Sequence, residues 1–263
     1  MNAPLPADVA DAGSTTVAEE FYRLLAARDH AGLRRFGDLP IMVDTVIGRR
    51  IRRYADAMLA GERVFTLSIA GITFELEIGD GNVGHDLFVA NGELPEAESM
   101  EWVRRLPILP GSVILDIGAN AGSYAIFLAK LHPGCRVVPF ECHPQMCDRL
   151  RRNVARNRLV NVDTSLLGIA IGAGQGRGRL VPDLRYGAVG THVVADVAGE
   201  VAVRPIDALG LSGVGFAKID VEGAELSVLQ GMRRLLEAEQ FPVLCEVSQG
   251  NQLGFLRLLA DYR

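Results

Sequence analysis

Several features are scarce in this chain of 263 residues, and each scarcity narrows what it can be. Cysteine occurs four times, at Cys135, Cys142, Cys147 and Cys245. Cys142, His143 and Cys147 lie close together, but their spacing matches no paired metal motif and a second pair is missing, so no metal is expected. The thiols fall in or beside apolar segments, where free cysteine acts as a small buried hydrophobe. Strong charge of either sign is also missing. Twenty-seven basic residues against 32 acidic ones leave a net charge of −5, which offers no basic field to nucleic acid or an anionic membrane. No run of about 18 apolar residues occurs, and Met1 to Thr16 lack the basic and long apolar regions of a signal peptide. The expectation is a cytoplasmic protein with no nucleic-acid or membrane partner. What is present is an ordinary globular composition, 49% hydrophobic and 22% charged, enough for one large domain or one domain plus an appendage.

Residues 1–15, rich in Ala, Asp and Pro, read as disordered. From Val17 to about Ala60 apolar residues recur at helical spacing (Phe21, Leu24, Leu25; Ile47, Ile51, Tyr54, Met58), with a break at Gly37-Asp38-Leu39-Pro40. Two or three short helices should cap the protein or join copies of it into a homo-oligomer. Arg49, Arg50, Arg52 and Arg53 read as a solvated helix face, with an anionic substrate or partner as the alternative. Alternation over Val64 to Ile78 with Ala70-Gly71 between reads as a β-hairpin, Gly79 to Gly84 as a loop. A helix with Met100, Trp102, Val103 and Leu106 ends at Pro107 and Pro110.

Strands and helices then alternate: Val113–Ile117, Ser123–His132, Arg136–Phe140, Pro144–Asn157, Val162–Ala170, a glycine-rich excursion over Gly172 to Gly190, Phe216–Val221, Ala224–Leu236, Pro242–Val247, and a final helix from about Gln252 to Leu259. Such alternation implies an α/β fold, a doubly wound and mostly parallel Rossmann-like sheet, here with five core strands. The domain boundary falls at about residue 62, with 63–263 forming the main domain and its core starting near residue 107.

In such sheets ligands collect at the carboxyl ends of the strands. Those ends carry Asp116 and the Gly118-Ala-Asn-Ala-Gly122 turn, Glu141, Gly168, Asp220 with Glu222, and Glu246. Gly118 and Gly122 would let the backbone approach a ligand closely. Glu141 follows Gly122 by 19 residues, near the interval at which a carboxylate holds the hydroxyls of a ribose. A dinucleotide fingerprint needs glycine at positions 118, 120 and 123, but Asn120 and Ser123 stand at the last two. Pyrophosphate would also be repelled by Asp116. S-adenosylmethionine, cationic and without phosphate, suits an acidic glycine-bearing loop better.

These residues resemble a family. Leu115-Asp-Ile-Gly-Ala-Asn-Ala-Gly122, Phe140-Glu141 followed by Pro144, Asn153, and above all Lys218-Ile-Asp-Val-Glu-Gly-Ala-Glu225 with Gly231 are similar to the FkbM-type methyltransferases, over roughly residues 70–262. The resemblance implies S-adenosylmethionine-dependent O-methylation of a sugar or small-molecule metabolite on a class I fold. By position it implies that Asp116, Gly118, Asn120, Gly122 and Ser123 surround the methionine part, that Glu141 holds the ribose, and that Gly168 and Ile169 lie beside the adenine. Two departures stand out: Cys142 occupies a position where the family often has proline, and the chain ends without the closing strand pair usual in class I enzymes.

Methyl transfer is an in-line displacement, so the protein must mainly align the acceptor oxygen and remove its proton. Asp220 and Glu222 are the candidates for base and acceptor positioning, with Lys218 on the same face of the strand as Asp220. His192 is an outside candidate base from the loop before it, with His85-Asp86 on an earlier loop a weaker one. Glu222 and Glu225 have a plainer alternative, as favourable charges at a helix start. Asp220, Glu222 and Glu246 have another, as ligands of a divalent ion. Rival readings for the whole chain are a nicotinamide-dependent oxidoreductase and a non-catalytic S-adenosylmethionine-binding module.

Overall fold

A computed structural model describes residues 17–79, 82–183, 187–247 and 252. The described residues open with three helices, α1 (Val17–Ala26), α2 (His30–Gly37) and α3 (Val46–Ala60). Each boundary has a local cause. Asp29 accepts from the Gly32 amide at the start of α2, Thr45 from the Gly48 amide at the start of α3, and Gly61 closes α3 in the left-handed conformation. The hairpin follows as β1 (Val64–Ile69) and β2 (Ile72–Glu77). Ala70 and Gly71 both have positive φ, the geometry that matches a two-residue turn to the strand twist.

Next come α4 (Val83–Val89) and α5 (Ala97–Val103), so the expected loop ends sooner than its composition suggested and His85-Asp86 lies on a helix. The core alternation then begins with β3 (Val113–Ile117), α6 (Ser123–Leu131), β4 (Arg136–Phe140) and α7 (Pro144–Arg156). After it run β5 (Ile169–Ile171), β6 (Gly176–Asp183), β7 (Gly187–Ala195), β8 (Val201–Arg204), β9 (Val214–Ile219), α8 (Glu225–Gly231), α9 (Arg233–Glu239) and β10 (Val243–Cys245). The parallel sheet has the order β10-β9-β3-β4, with β3 buried along its whole length.

Three expectations need correction. The strand placed at Val162–Ala170 is broken. Only Val162 bridges to Val137; Asp163 then accepts from the Ser165 amide and starts a 3-10 turn, a local bond that displaces the ladder. The chain re-emerges as β5, which pairs with β8 in a second sheet of order β5-β8-β6-β7. Among the described residues the parallel sheet therefore has four strands, where five were expected. The helix placed at 224–236 is split at Met232, because Asp207 captures the amides of Arg234 and Leu235 and caps a new helix. The final helix expected beyond Gln252 lies outside the described residues.

Two apolar layers cover the sheet. Ile114, Val137 and Phe216 face a core that includes Leu33, Ile51, Tyr54, Leu67, Phe74 and Phe127, so the three N-terminal helices and the hairpin share one continuous core with the sheet. Leu115, Val138, Ala217 and Ile219 face the other way, onto Val228, Leu229 and Met232. The successive residues of β3 point to opposite layers, as strand geometry requires. Asn153 and Asn157 of α7 fasten the hairpin: they accept from the Glu77 and Glu75 amides at 2.8 and 3.0 Å, while Asn153 Nδ2 donates to the Ala121 carbonyl at 2.9 Å.

Candidate active site

The carboxyl ends of β3, β4 and β9 open into a cleft of about 910 Å³, closed on one side by α4 and α5 and on another by β5, β6 and β7. That is within the size range of sites for cofactors and small substrates. The glycine turn forms its floor. Gly118, Asn120 and Gly122 all take positive φ. Gly118 lines the cleft, and both glycines also have a packing role. A Cβ on Gly118 would stand 1.7 Å from the Asp220 carbonyl, and one on Gly122 would stand 2.9 Å from Leu150 Cγ. They let the turn pack against β9 and α7, and Gly122 does not itself line the cleft.

Glu141, at the end of β4, holds this turn to the next one. Its Oε2 accepts from the Asn120 amide at 2.8 Å, and its Oε1 from the Cys142 and His143 amides at 2.9 and 2.7 Å. Burial nevertheless raises its pKa above the usual carboxylate value, against the lowering effect of those amides. Asn120 is steadied from the other side: its Oδ1 accepts from Asn82 Nδ2 at 2.8 Å, and Asn82 is fully buried just before α4.

Asp116 does not line the cleft. It lies below the floor, wholly buried, with neither carboxylate oxygen hydrogen-bonded, and Lys218 Nζ is 3.8 Å away. Burial pushes its pKa up to about 6, only partly offset by Lys218. Lys218 donates to Asp220 Oδ2 at 3.0 Å and to the Gly118 carbonyl at 3.4 Å, and sits 5.5 Å from the centre of the Tyr124 ring. Its burial alone would lower its pKa, but the Asp220 and Asp116 carboxylates hold it raised and therefore charged. Burial also lifts the Tyr124 phenol to about 12, so it stays protonated beside Ser99 Oγ at 3.0 Å.

Asp220, Glu222 and Glu246 line the cleft together. The Asp220 carboxylate raises the Glu246 pKa, with burial adding to the effect. Glu222 stands in the left-handed conformation at φ 52°. Glu225 is buried away from the cleft and accepts from the Gly223 amide at 2.7 Å, which agrees with the plainer helix-start reading of that residue. Ser123 and Ile169 line the cleft; Gly168 does not, and its amide donates to the Glu141 carbonyl at 2.8 Å.

His192 is a correction. Thr191 and Val193 line the cleft, and His192 between them does not, because successive residues of β7 point to opposite faces. The N-terminal helices contribute none of the described lining residues. Composition had hidden Glu96 and Ser99, which do line it, as does His85, the weaker candidate base of the earlier loop. Glu96 Oε2 is buried without a hydrogen-bond partner, and the signal that could have found it is its place at the start of a helix preceding the glycine strand. Among the described residues, no group of three or more potential ligands is arranged to hold a metal.

Residues 116–262 match the Methyltransferase FkbM domain. The chain belongs to that family. Methyltransferase sdnD of Sordaria araneosa is 30% identical over 165 residues, covering 49% of this chain and 63% of its own. The 31-O-demethyl-FK506 methyltransferase FkbM of Streptomyces tacrolimicus is 29% identical over 158 residues, covering 47% and 60%. Hexuronic acid methyltransferase AglP of Haloferax volcanii is 30% identical over 145 residues, covering 52% and 56%. The match thus spans 56% to 63% of the length of these relatives. No helix among the described residues is long and apolar enough to cross a membrane.

Proposed function

We propose that this protein transfers a methyl group from S-adenosylmethionine to a hydroxyl oxygen of a sugar or small-molecule metabolite in the cytoplasm. The observation that carries the reading is the composition of the cleft in a chain of this family. Five carboxyl side chains, Glu96, Glu141, Asp220, Glu222 and Glu246, line it, a setting that favours a ligand with sulfonium and ammonium charges and repels a pyrophosphate. The residues present therefore fit this methyl donor, whose bound sulfonium would supply a methyl group already activated for displacement.

Gly118, Asn120 and Ser123 would meet the amino-acid part, and Ile169 the base. Three of roughly four acceptor positions on Glu141 are taken by backbone amides. Oε2 thus has room for one ribose hydroxyl rather than the two expected. Asp116 acts from below by helping Asp220 keep Lys218 charged and in place. Asp220 and Glu222 face the acceptor; Asp220 receives the hydroxyl proton, and its carboxylate neighbour Glu246 keeps that proton inside the cleft until solvent takes it. Sugar and metabolite hydroxyls are the acceptor class because the relatives named above include enzymes for a hexuronic acid and for a demethylated FK506.

Titration calorimetry with S-adenosylhomocysteine and, separately, with NAD tests the reading. Binding of S-adenosylhomocysteine alone is expected. Binding of NAD alone would replace it with the oxidoreductase reading. Binding of S-adenosylhomocysteine without methyl transfer to any acceptor in a labelled-donor screen would leave the non-catalytic module.

A further inference from the structure

The wall of the cleft made by α4 and α5 carries one side chain that neither the fold nor the proposed chemistry uses. His85 is 7% exposed, lines the cleft, and has no hydrogen-bond partner on either ring nitrogen. Its sequence neighbour Asp86 does not complete it. The nearer approach, Nδ1 to Oδ1, is 3.7 Å, beyond hydrogen-bond reach. Asp86 is instead committed to Arg149 Nη1, at 3.0 Å from both oxygens, and to the Gly79 amide at 2.9 Å. A buried polar ring left unsatisfied costs free energy unless a ligand completes it. Asn82 and His85 are three residues apart, as are His85 and Phe88, so they share a side of α4. Asn82 bonds Asn120 in the glycine turn, and Phe88 lines the cleft with the Arg50 guanidinium 4.1 Å from its ring centre.

From α5, Glu96 presents a buried and unpartnered Oε2, and Ser99 an oxygen bonded to Tyr124. This wall thus offers an aromatic surface, an imidazole ring and a carboxylate acceptor. Of the Lys and Arg side chains that line the cleft among the described residues, Lys218 lies between Asp220 and Asp116, and Arg177 donates to the Gly199 and Glu200 carbonyls.

Resting on the methyl-transfer reading, we infer that His85 binds a hydroxyl of the acceptor and that the acceptor is an uncharged polyhydroxy ring, not an anionic one. One imidazole nitrogen donates to the hydroxyl oxygen and the other accepts from a neighbouring hydroxyl. A carboxylate-bearing acceptor would instead meet Glu96, Glu222 and Glu246.

The full chain with ¹⁵N-labelled histidine, saturated with S-adenosylhomocysteine, is titrated with methyl β-D-glucopyranoside and with its uronate. Loss of one ring's pair of nitrogen signals in His85→Gln assigns the resonances. The neutral glycoside is expected to shift the His85 ring nitrogens, and the uronate to bind at least tenfold more weakly. His85→Phe should weaken the neutral glycoside at least tenfold while changing S-adenosylhomocysteine affinity less than twofold, and His85→Gln should recover part of the loss. Unmoved ring signals, unchanged glycoside affinity in His85→Phe, no binding of the neutral glycoside, or equal binding of the uronate would each overturn the inference. Failure of the wild-type protein to bind S-adenosylhomocysteine would instead overturn the reading beneath it.

Discussion

At the scale of single residues, the chemistry of the cleft depends on charges held where water cannot reach them. Asp116 is the clearest case. Its folded pKa of about 6 lies above the ordinary 3.8, so its contribution to stability is present below about pH 4 and is lost as pH rises through 6. The gap between those two values corresponds to roughly 3 kcal/mol. Asp116→Asn should therefore gain thermal stability over the wild type as pH rises from 4 to 6, and denaturation scans at several pH values would measure it. A constant difference across that window would show that Lys218 fully compensates the buried charge. Glu141→Ala removes the acceptor of three amides as well as the proposed ribose contact. With each charge-assisted bond worth about 1.5 to 3 kcal/mol, it should weaken S-adenosylhomocysteine binding at least tenfold and also lower the melting temperature. Asp220→Asn should keep that affinity and lose turnover in a labelled-donor assay.

Elements explain which of these residues could be read in advance. The strand-turn-helix at Val113–Tyr124 announces itself by an apolar run ending in glycine, and β4 and β9 by apolar runs ending in a carboxylate, so the floor of the cleft was legible. The wall was not. His85 belongs to a helix of seven residues, too short for its periodicity to stand out from the glycines before it. The strand at 162–170 failed for another reason. Its apolar content is that of a core strand, but Asp163 offers the backbone a nearer partner than β4 does. His192 shows the limit of proximity along the chain, since one step in β7 decides whether a side chain faces the cleft or not. Gly118 marks the point where two elements come closest. Gly118→Ala would place a methyl group 1.7 Å from the Asp220 carbonyl and force β3 and β9 apart, and loss of S-adenosylhomocysteine binding with a lowered melting temperature is the expected result.

Across the whole molecule, the parts are joined by a few buried polar links set in apolar packing. The Asp86–Arg149 pair ties α4 to α7, with side chains 0% and 3% exposed. Arg149→Met would leave Asp86 buried without its cation and should cost about 3 to 5 kcal/mol. Chemical denaturation would measure this, and a loss below about 1 kcal/mol would mean that water reaches the carboxylate. Such a loss should also loosen the wall that carries His85. The same continuity governs the N-terminal helices. They were expected to cap the protein or pair its copies, and their core proves inseparable from the sheet's, although they stop short of the cleft.

The cleft is assembled from two separate lengths of chain, the floor from residues after 116 and the opposing wall from residues 84–99. Inheritance can act on them separately. Exchange of the wall segment between relatives would change which molecule is admitted without rewriting the turn proposed to meet the donor, so long as the Asn82–Asn120 clasp comes with it. A lineage, or an engineer, could retarget such a protein with a cassette of about 20 residues.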